Sequence, residues 1–272
     1  MLNWGARSVA GPRIDLNCDM GEGMDTDAAI FPFISSANIA CGAHAGDADT
    51  MRRTVELALR HGVAIGAHPG YPDKAGFGRV DILGKPLRPE DLPVLLHEQL
   101  HRLQSICREF GVRLRHVKPH GALYNRAARD ASVAALIARA VLNFDPALLL
   151  YGLSGSEMRV LAGQEGLGFV SEVFADRTYQ PDGSLTPRSQ PGALIEAPDR
   201  AVAQVLKMVR EGLVDTAGGE VAIAAETVCV HGDGDHAVAF AQLIHGVLSA
   251  EGVRIVSPVI DRDATKERGA RS

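Results

Sequence analysis

Three histidines stand at the ends of short apolar runs, where their side chains would leave predicted strands. They are His68 in Gly-Ala-His-Pro, His120 in Lys-Pro-His-Gly and His231 in Val-His-Gly-Asp. Imidazole binds metals and transfers protons near neutral pH. Together with Asp19, which follows an earlier strand, His68 and His120 would supply one carboxylate and two imidazoles, a set that suits a divalent metal that activates water. The alternative is that each histidine is a hydrogen-bonded structural residue.

Other charged and amide side chains follow the same strand ends. Lys118 is a point charge that polarises a carbonyl or holds a carboxylate, and Arg79 or Arg177 is suited to clamp a carboxylate or phosphate. For Arg177, a salt bridge to the neighbouring Asp176 is the alternative. Crowded carboxylates in a shielded site supply a general base, although any of them equally suits a metal ligand or a helix cap. We predict catalytic roles for Asp15, Asp19, Glu22, His44, Lys118 and Arg177, substrate contacts for Asn17, Asn38, Arg79, Asn125, His231 and Asp233, and metal ligands in Asp19, His68 and His120.

Two common catalytic signatures are missing from the sequence. The segment Gly152-Leu-Ser-Gly-Ser156 lacks the spacing of a nucleophile elbow, which argues against serine catalysis. No phosphate-binding G-x-x-x-x-G-K-[ST] loop occurs, so an ATP site is not visible in this chain. The glycines of Gly76-Phe-Gly-Arg79 predict a flexible lid rather than a phosphate loop.

The elements that must position these residues alternate between short apolar runs and longer helical patterns, which is typical of strand and helix units around a parallel sheet. Seven or eight strands are a barrel-sized number, and in a parallel barrel all the polar strand ends face one way. The predicted strands are Arg13 to Asn17, Asn38 to Cys41, Val63 to Ala67, Arg115 to Lys118, Leu148 to Tyr151, Gly168 to Glu172, Val228 to His231 and Val253 to Val256.

Helix signals separate the strands. We predict helices over Thr50 to Arg60, Pro89 to Phe110, Arg200 to Glu211 and His236 to Ala250, with Asp47 or Asp49 and Asp199 as N-caps. The long segments 71–88 and 174–196 break this rhythm, and loops of such length are usually functional or disordered. The sequence thus predicts one barrel domain over residues 13–260, a flexible extension over 1–12 and a flexible tail over 261–272.

Composition limits the function classes. A formal charge of -5 and the lack of any stretch rich in Lys and Arg argue against a nucleic-acid partner. No apolar run approaches the ~20 residues of a membrane span, and no secretory signal is recognisable at the start, so we expect a cytoplasmic protein. The four cysteines lack a C-x-x-C pair and are expected to be reduced thiols. A homo-oligomer is compatible with the sequence, which does not fix the oligomeric state.

Long motifs across the chain resemble the LamB/YcsF family, which supplies the A subunit of bacterial 5-oxoprolinase. The resemblance runs from about Ile14 to Ile255. Its segments are Asp15-Leu-Asn-Cys-Asp-Met-Gly-Glu22, Ser36-Ala-Asn-Ile-Ala-Cys-Gly-Ala-His-Ala-Gly-Asp47, Gly66-Ala-His-Pro-Gly-Tyr-Pro-Asp73, Gly76-Phe-Gly-Arg79, Lys118-Pro-His-Gly-Ala-Leu-Tyr-Asn125, Glu172-Val-Phe-Ala-Asp-Arg-Thr-Tyr179, Asp182-Gly-Ser-Leu185 and Cys229-Val-His-Gly-Asp233.

The resemblance implies a distorted α/β barrel of the glycoside hydrolase/deacetylase type. It implies conversion of 5-oxo-L-proline, ATP and water to L-glutamate, ADP and phosphate, together with partner subunits B and C. By analogy with metal-dependent deacetylase barrels it also suggests Asp19, His68 and His120 as metal-site equivalents. Two other functions remain open: a metal-dependent deacetylase or amidohydrolase that needs no ATP, and a subunit that only binds and presents substrate.

Overall fold

The computed structural model describes residues 11–230 and 237–258. Its strands are β1 (Arg13–Met20), β2 (Ser36–Ala40), β3 (Ala64–His68), β4 (His116–Val117), β5 (Leu149–Leu153), β6 (Gly168–Phe174), β7 (Leu213–Thr216), β8 (Gly219–Ala222), β9 (Thr227–Cys229) and β10 (Arg254–Ile255). Strands β1 to β6 and β9 pair in parallel in the order β1-β2-β3-β4-β5-β6-β9, and β9 closes the ring on β1. The short β10 pairs in parallel with the start of β1. The predicted α/β barrel is therefore confirmed, with seven strands in the closed ring.

Helices alternate with the strands, as expected when parallel strands need crossover connections. They are α1 (Asp27–Ile30), α2 (Ala48–His61), α3 (Leu92–Glu109), α4 (Gly121–Arg129), α5 (Ala131–Phe144), α6 (Glu157–Glu165), α7 (Pro198–Glu211) and α8 (Ala237–Ala250). Asp47 caps α2 as predicted, accepting a hydrogen bond from the Thr50 N–H. The predicted cap at Asp199 is wrong, because α7 begins one residue earlier at Pro198 and Asp199 lies in its first turn.

Alternation of side chains along the strands fills the barrel interior with polar groups. In β1, Leu16 and Cys18 belong to the apolar core, whereas Asp15 and Asn17, which alternate with them, make polar contacts with other strands. Gly66 in β3 leaves room for the His116 ring, since a Cβ there would lie 2.1 Å from His116 Nε2. The parallel register therefore stacks buried polar side chains beneath the carboxyl ends of the strands.

Two long connections cover those carboxyl ends. The segment from Tyr71 to Arg88 leads from β3 towards α3, and the segment between β6 and α7 folds back on itself through isolated bridges such as Tyr179 with Leu185. The antiparallel pair of β7 and β8 follows α7 and is absent from the sequence-based prediction. Most of the predicted terminal extension and all of the predicted tail lie outside the described residues, so the domain limits stay predictions.

All four cysteines are free and buried, as expected for reduced thiols. Within residues 11–230 and 237–258, no helix combines the length and the apolar character needed to cross a bilayer.

Candidate functional site

A cavity of about 860 Å³ opens at the carboxyl ends of the barrel strands. Eight of the predicted site residues line it: Asp19, Glu22, His68, Arg79, Lys118, His120, Asn125 and Arg177. Four others, Asp15, Asn17, Asn38 and His44, are buried and do not line it. His231 and Asp233 lie outside the described residues.

The predicted metal ligands meet at one side of this cavity. His68 Nε2 lies 3.2 Å from Asp19 Oδ2 and 2.9 Å from His120 Nδ1. Glu22 Oε1 joins them, 3.3 Å from His120 Nδ1 and 3.8 Å from His68 Nε2. His44 completes a group of four with Glu22, His68 and His120, whose ligand atoms all lie within 4.8 Å of one another. The structure thus brings the three predicted ligands together and adds Glu22 and His44.

Backbone carbonyls fix which nitrogen of each histidine faces the group. His68 Nδ1 lies 2.7 Å from the Lys118 carbonyl and His120 Nε2 lies 2.8 Å from the Phe77 carbonyl. Because a carbonyl only accepts, both of these nitrogens carry a proton. When the rings are neutral, His68 Nε2 and His120 Nδ1 point lone pairs at each other across 2.9 Å. Such a pair needs a proton or a cation between the two nitrogens.

The donor set fits a divalent cation. Ligand atoms in a tetrahedral site with bonds near 2.0–2.1 Å lie about 3.3 Å apart, and four of the six separations among Asp19, Glu22, His68 and His120 span 2.9 to 3.8 Å. Each histidine also has the carbonyl partner that typically orients a metal-binding imidazole. These four residues would hold the metal. His44 Nδ1, which has no hydrogen-bond partner among the described residues, lies beside them.

The electrostatics of the group favour ionised carboxylates. Burial alone would raise the pKa of Glu22, but hydrogen bonds from His120 and His44 outweigh it and lower that pKa to about 2. Burial likewise opposes ionisation of Asp19, yet the charges of His68 and Lys118 hold its pKa well below the usual value. Burial next to the other two imidazoles lowers the pKa of His44 to about 4. His44 is therefore neutral at pH 7, and both carboxylates carry their charge.

Lys118 forms the floor of the cavity beside this cluster. Its Nζ lies 2.7 Å from Glu172 Oε1, 3.0 Å from Asp19 Oδ1 and 3.1 Å from Asn17 Oδ1. Burial opposes the charged form, but Asp19 and further partners, including Glu172, raise the pKa of Lys118 well above its usual value. Lys118 is 2% exposed and Glu172 is fully buried. The strand ends thus hold an ammonium group between two carboxylates in a desolvated place.

A buried amide network supports Asp19 and Lys118 from below. Asn38 Nδ2 donates to Asn17 Oδ1 at 2.8 Å and to Asp19 Oδ1 at 2.9 Å. Asn38 Oδ1 lies 2.8 Å from His116 Nε2, which must therefore be the protonated nitrogen. The substrate contacts predicted for Asn17 and Asn38 do not fit these positions, because their amides are occupied by protein groups beneath the cavity.

The predicted catalytic role of Asp15 also fails on position. Its Oδ1 accepts hydrogen bonds from Ser35 and Ser36, and its Oδ2 accepts hydrogen bonds from Thr227 and Tyr151. Four hydroxyl donors satisfy the carboxylate inside the barrel, and no surface of Asp15 reaches the cavity. Asp15 organises the barrel interior and cannot contact a substrate in the cavity.

The remaining predicted residues lie on the outer part of the cavity wall. Arg79 is exposed and its guanidinium lies 5.1 Å from the centre of the Phe77 ring, while Asn125 is exposed on α4. Arg177 is buried and donates hydrogen bonds to the carbonyls of Thr186 at 2.6 Å and Ala193 at 3.4 Å. The ion pair of Arg177 with Asp176, the alternative to a ligand clamp, is not among the ion pairs within 4.0 Å in the described part of the chain.

Three residues that touch or support the site have no role in the sequence-based prediction. Glu172 pairs with Lys118, Tyr124 lies on the cavity wall, and His116 holds Asn38. Burial and then the charge of Glu172 raise the pKa of the Tyr124 hydroxyl well above its usual value, so this group keeps its proton. Glu172 and Tyr124 both stand within the long motifs of the sequence, whereas His116 has no comparable local signal.

The LamB/YcsF family matches residues 14–262, a range that spans the barrel. The chain belongs to the LamB/YcsF family. Among its relatives, the 5-oxoprolinase A subunit of Tolumonas auensis is 51% identical over 249 residues, covering 89% of this chain and 98% of the relative. The protein of the same name from Bacillus subtilis is 52% identical over 254 residues, covering 90% and 96%.

A solved structure of a similar protein has the same fold. The crystal structure of the lactam utilization protein from Thermus thermophilus superposes with a TM-score of 0.85 at 42% sequence identity. The match covers 90% of this chain and all of that chain. The barrel described above is therefore the fold of that relative as well.

Proposed function

We propose that this chain is the A subunit of an ATP-dependent 5-oxoprolinase and opens the ring amide of 5-oxo-L-proline to give L-glutamate. The overall reaction would consume ATP and water, release ADP and phosphate, and take place in the cytoplasm with partner subunits B and C. The names of the relatives support the reaction class. The observation that carries the proposal is the buried ammonium of Lys118 between Asp19 and Glu172, beside the histidine cluster in one cavity.

Amide hydrolysis needs an activated water, a polarised carbonyl and a proton for the leaving nitrogen. A divalent metal, when bound, would supply a Lewis acid and a water of lowered pKa. Asp19, Glu22, His68 and His120 would hold it, and His44 would keep Glu22 in place through their 3.0 Å contact. Because their pKa values are lowered, both carboxylates are weak bases, so they suit cation binding better than they suit general base catalysis.

Lys118 contributes positive charge rather than a free donor. Its Nζ donates hydrogen bonds to Asn17 Oδ1 and Cys229 Sγ and lies 3.0 Å and 2.7 Å from carboxylate oxygens of Asp19 and Glu172, so a substrate could approach it closely only by displacing one of these groups. In a desolvated floor its field favours the negative charge that develops on the carbonyl oxygen during hydrolysis. Tyr124 lines the same cavity, and its buried hydroxyl, which keeps its proton, lies close to Glu172.

An ATP-dependent activation of the lactam oxygen is assigned to the partner subunits, since the sequence contains no phosphate-binding loop of the common type. In this division of labour the barrel binds the lactam and completes ring opening. A metal-dependent deacetylase without ATP would use the same cluster, and a presenting subunit would need only the cavity. The density of titratable groups favours catalysis over presentation, because binding alone needs few of them.

The test pairs two substitutions in the same strand, four residues apart. In a complex with the B and C subunits, Asp19→Asn is expected to lower glutamate formation about 100-fold or more, because it removes charge beside Lys118 and His68. Asp15→Asn, which changes a carboxylate outside the cavity, is expected to retain turnover. Unchanged turnover in Asp19→Asn would favour a presenting role. Release of acetate from an acetylated sugar, with no oxoproline-dependent ATP hydrolysis, would favour the deacetylase.

A further inference from the structure

The side of the cavity formed by the loops after β5 and β6 differs in character from the side that carries the histidine cluster. Asp19, His68 and Lys118 come from β1, β3 and the residue after β4, whereas Ser156 follows β5 and Arg177 follows β6. Strands β5 and β6 are neighbours, with Leu153 opposite Glu172. The ion pair between Lys118 and Glu172 connects the two sides. The cavity thus offers a second set of polar groups next to the proposed reaction centre.

Helix α6 presents its N-terminus to this second side. Its N-cap is Ser156, which is 6% exposed and lines the cavity together with Ser154 and Gly155. Ser156 makes no side-chain cap hydrogen bond, and its buried Oγ has no hydrogen-bond partner among the described residues. The first-turn N–H groups of α6 therefore lack the side-chain acceptor that usually satisfies one of them. A helix start with a free, buried hydroxyl is suited to an oxyanion.

Arg177, which follows the neighbouring strand β6, supplies an independent reason for an anion on this side of the cavity. The residue is 6% exposed, and its guanidinium contacts only the Thr186 and Ala193 carbonyls among the hydrogen bonds of the described residues. No carboxylate of the described residues lies within 4.0 Å of it. Burial lowers the pKa of Arg177, and the positive charge of Arg188 adds to that effect. The charge of Asp176 opposes this lowering but makes no ion pair with the guanidinium, so the buried cation is suited to an anionic ligand.

Size and charge indicate which anion this is. The cavity volume of about 860 Å³ lies in the upper range of clefts that hold drug-sized ligands, roughly 300–1,000 Å³, so a single small lactam leaves much of it free. Arg129 and Arg188 also line it, and Asp182 is the acidic residue on that part of the wall. A fork of guanidinium donors, a serine hydroxyl and helix N–H groups match the several oxygens of a phosphoryl group.

The geometry points to a phosphoryl-binding subsite built from Ser156, the N-terminus of α6 and Arg177. The inference rests on the proposed function and deepens it, because a lactam activated by ATP on the partner subunits would carry a phosphoryl group into the cavity. That group would sit on the β5–β6 side while the lactam carbon faces Lys118 and the histidine cluster. The same subsite would accept the terminal phosphate of a nucleotide, which is the second source of this chemistry.

The test measures binding of inorganic phosphate to the full chain by titration calorimetry. We expect saturable binding of one phosphate, weakened about tenfold or more by Ser156→Ala and by Arg177→Gln, since each substitution removes a hydrogen bond to a charged group. Ser156→Ala should leave thermal unfolding unchanged, because the Ser156 side chain makes no capping hydrogen bond. Arg177→Lys keeps the charge and is the variant to measure if Arg177→Gln does not fold. Ser105→Ala, at an exposed position of α3, is the matched control.

Competition then identifies the source of the phosphoryl group. Displacement of phosphate by ATP would identify a nucleotide as the source of the phosphoryl group. Phosphate binding that ATP does not change would identify the phosphorylated lactam as the source. Phosphate binding that His68→Ala abolishes and Ser156→Ala leaves intact would overturn the subsite. Displacement of phosphate by 5-oxoproline, if it depends on Ser156, would also overturn the subsite, because the substrate carboxylate would then bind at Ser156. These readouts are independent of turnover, so their failure would leave the proposed lactam hydrolysis standing.

Discussion

At the residue scale, the two cavity histidines are held so that the nitrogens not bound to backbone carbonyls face each other. The Lys118 carbonyl fixes His68 and the Phe77 carbonyl fixes His120. Phe77, whose carbonyl contacts His120, adopts a φ of 55°. This left-handed conformation costs a non-glycine residue conformational free energy. The backbone therefore prepares these two rings to share one cation with the ionised Asp19 and Glu22.

We predict that the purified chain binds a divalent metal through this cluster. His68→Ala and His120→Ala are each expected to reduce metal content to a small fraction of the wild-type amount, because each removes one of two imidazole ligands. Elemental analysis after dialysis against a trace-metal buffer measures this. His97→Ala removes an exposed histidine of α3 outside the cavity and should leave the metal content unchanged. Equal metal content in all three variants would place any metal elsewhere.

A second residue-scale prediction concerns the buried charges at Lys118. Lys118→Met leaves Glu172 and Asp19 without their ammonium partner, so we expect the free energy of unfolding to fall by about 3–5 kcal/mol. Adding Glu172→Gln removes one uncompensated charge and should restore part of that stability without restoring turnover. Denaturant unfolding and glutamate formation in the full complex measure the two effects. Wild-type stability in Lys118→Met would mean that the three groups are not paired in solution.

At the scale of elements, β1 shows both what the sequence reveals and where the reasoning from it stops. The strand and its polar residues are predicted correctly, and all seven barrel strands overlap the predicted runs. Asp15, Asn17 and Asp19 share one face because side chains alternate along a strand. Only Asp19 is near the carboxyl end, so only Asp19 reaches the cavity. These three residues differ in how far along the strand they lie. The sequence-based prediction ends the strand at Asn17 and therefore assigns all of them to the site.

Other features depend on contacts that no local pattern records. His116 matters because β3 carries a glycine opposite it, and Glu172 matters because β4 and β6 bring it to Lys118 across the barrel. The β7–β8 pair is short and partly exposed, so its residues give little hydrophobic periodicity. Positions of this kind follow from strand order and register, which become visible only in the folded barrel.

Gly66 gives an element-scale prediction about β3. Gly66→Ala would place a methyl group 2.1 Å from the His116 ring, which is stacked on Tyr151 and has no free space to move into. We expect a loss of about 1–3 kcal/mol in the free energy of unfolding, as for an overpacked core. Gly163→Ala on exposed α6, where a Cβ meets nothing within 4 Å, is the control and should gain about 0.5–1 kcal/mol. Similar unfolding midpoints for both variants would contradict the tight approach of β3 and β4.

At the scale of the whole molecule, one cavity joins the proposed reaction centre and the proposed phosphoryl subsite. Both sit among the loops at the carboxyl ends of the strands, where parallel barrels gather their functional groups. Under the proposed function, partner subunits that activate the lactam would deliver it through the opening of this cavity. Access to that opening should therefore limit turnover of the complex, although it should not affect folding of the barrel.

Labelling of the cavity opening tests that expectation. Val80 is 56% exposed and stands between Arg79 and Asp81, which both line the cavity. Val160 is 50% exposed on α6 and does not line it. Because the four native cysteines are buried, a polyethylene glycol maleimide should react selectively with Val80→Cys or Val160→Cys. We expect the bulky label at position 80 to abolish glutamate formation with the B and C subunits, and the same label at position 160 to leave it unchanged.

A small label at position 80 distinguishes a blocked cavity opening from damage to the site itself. Methylthiolation of Val80→Cys adds little bulk, so turnover should persist if the large label acts by closing the opening. Loss of turnover with both labels would show that position 80 contributes to the site itself. Full turnover with the large label at position 80 would mean that substrate enters by another route, and the delivery of an activated lactam through this face of the barrel would then be wrong.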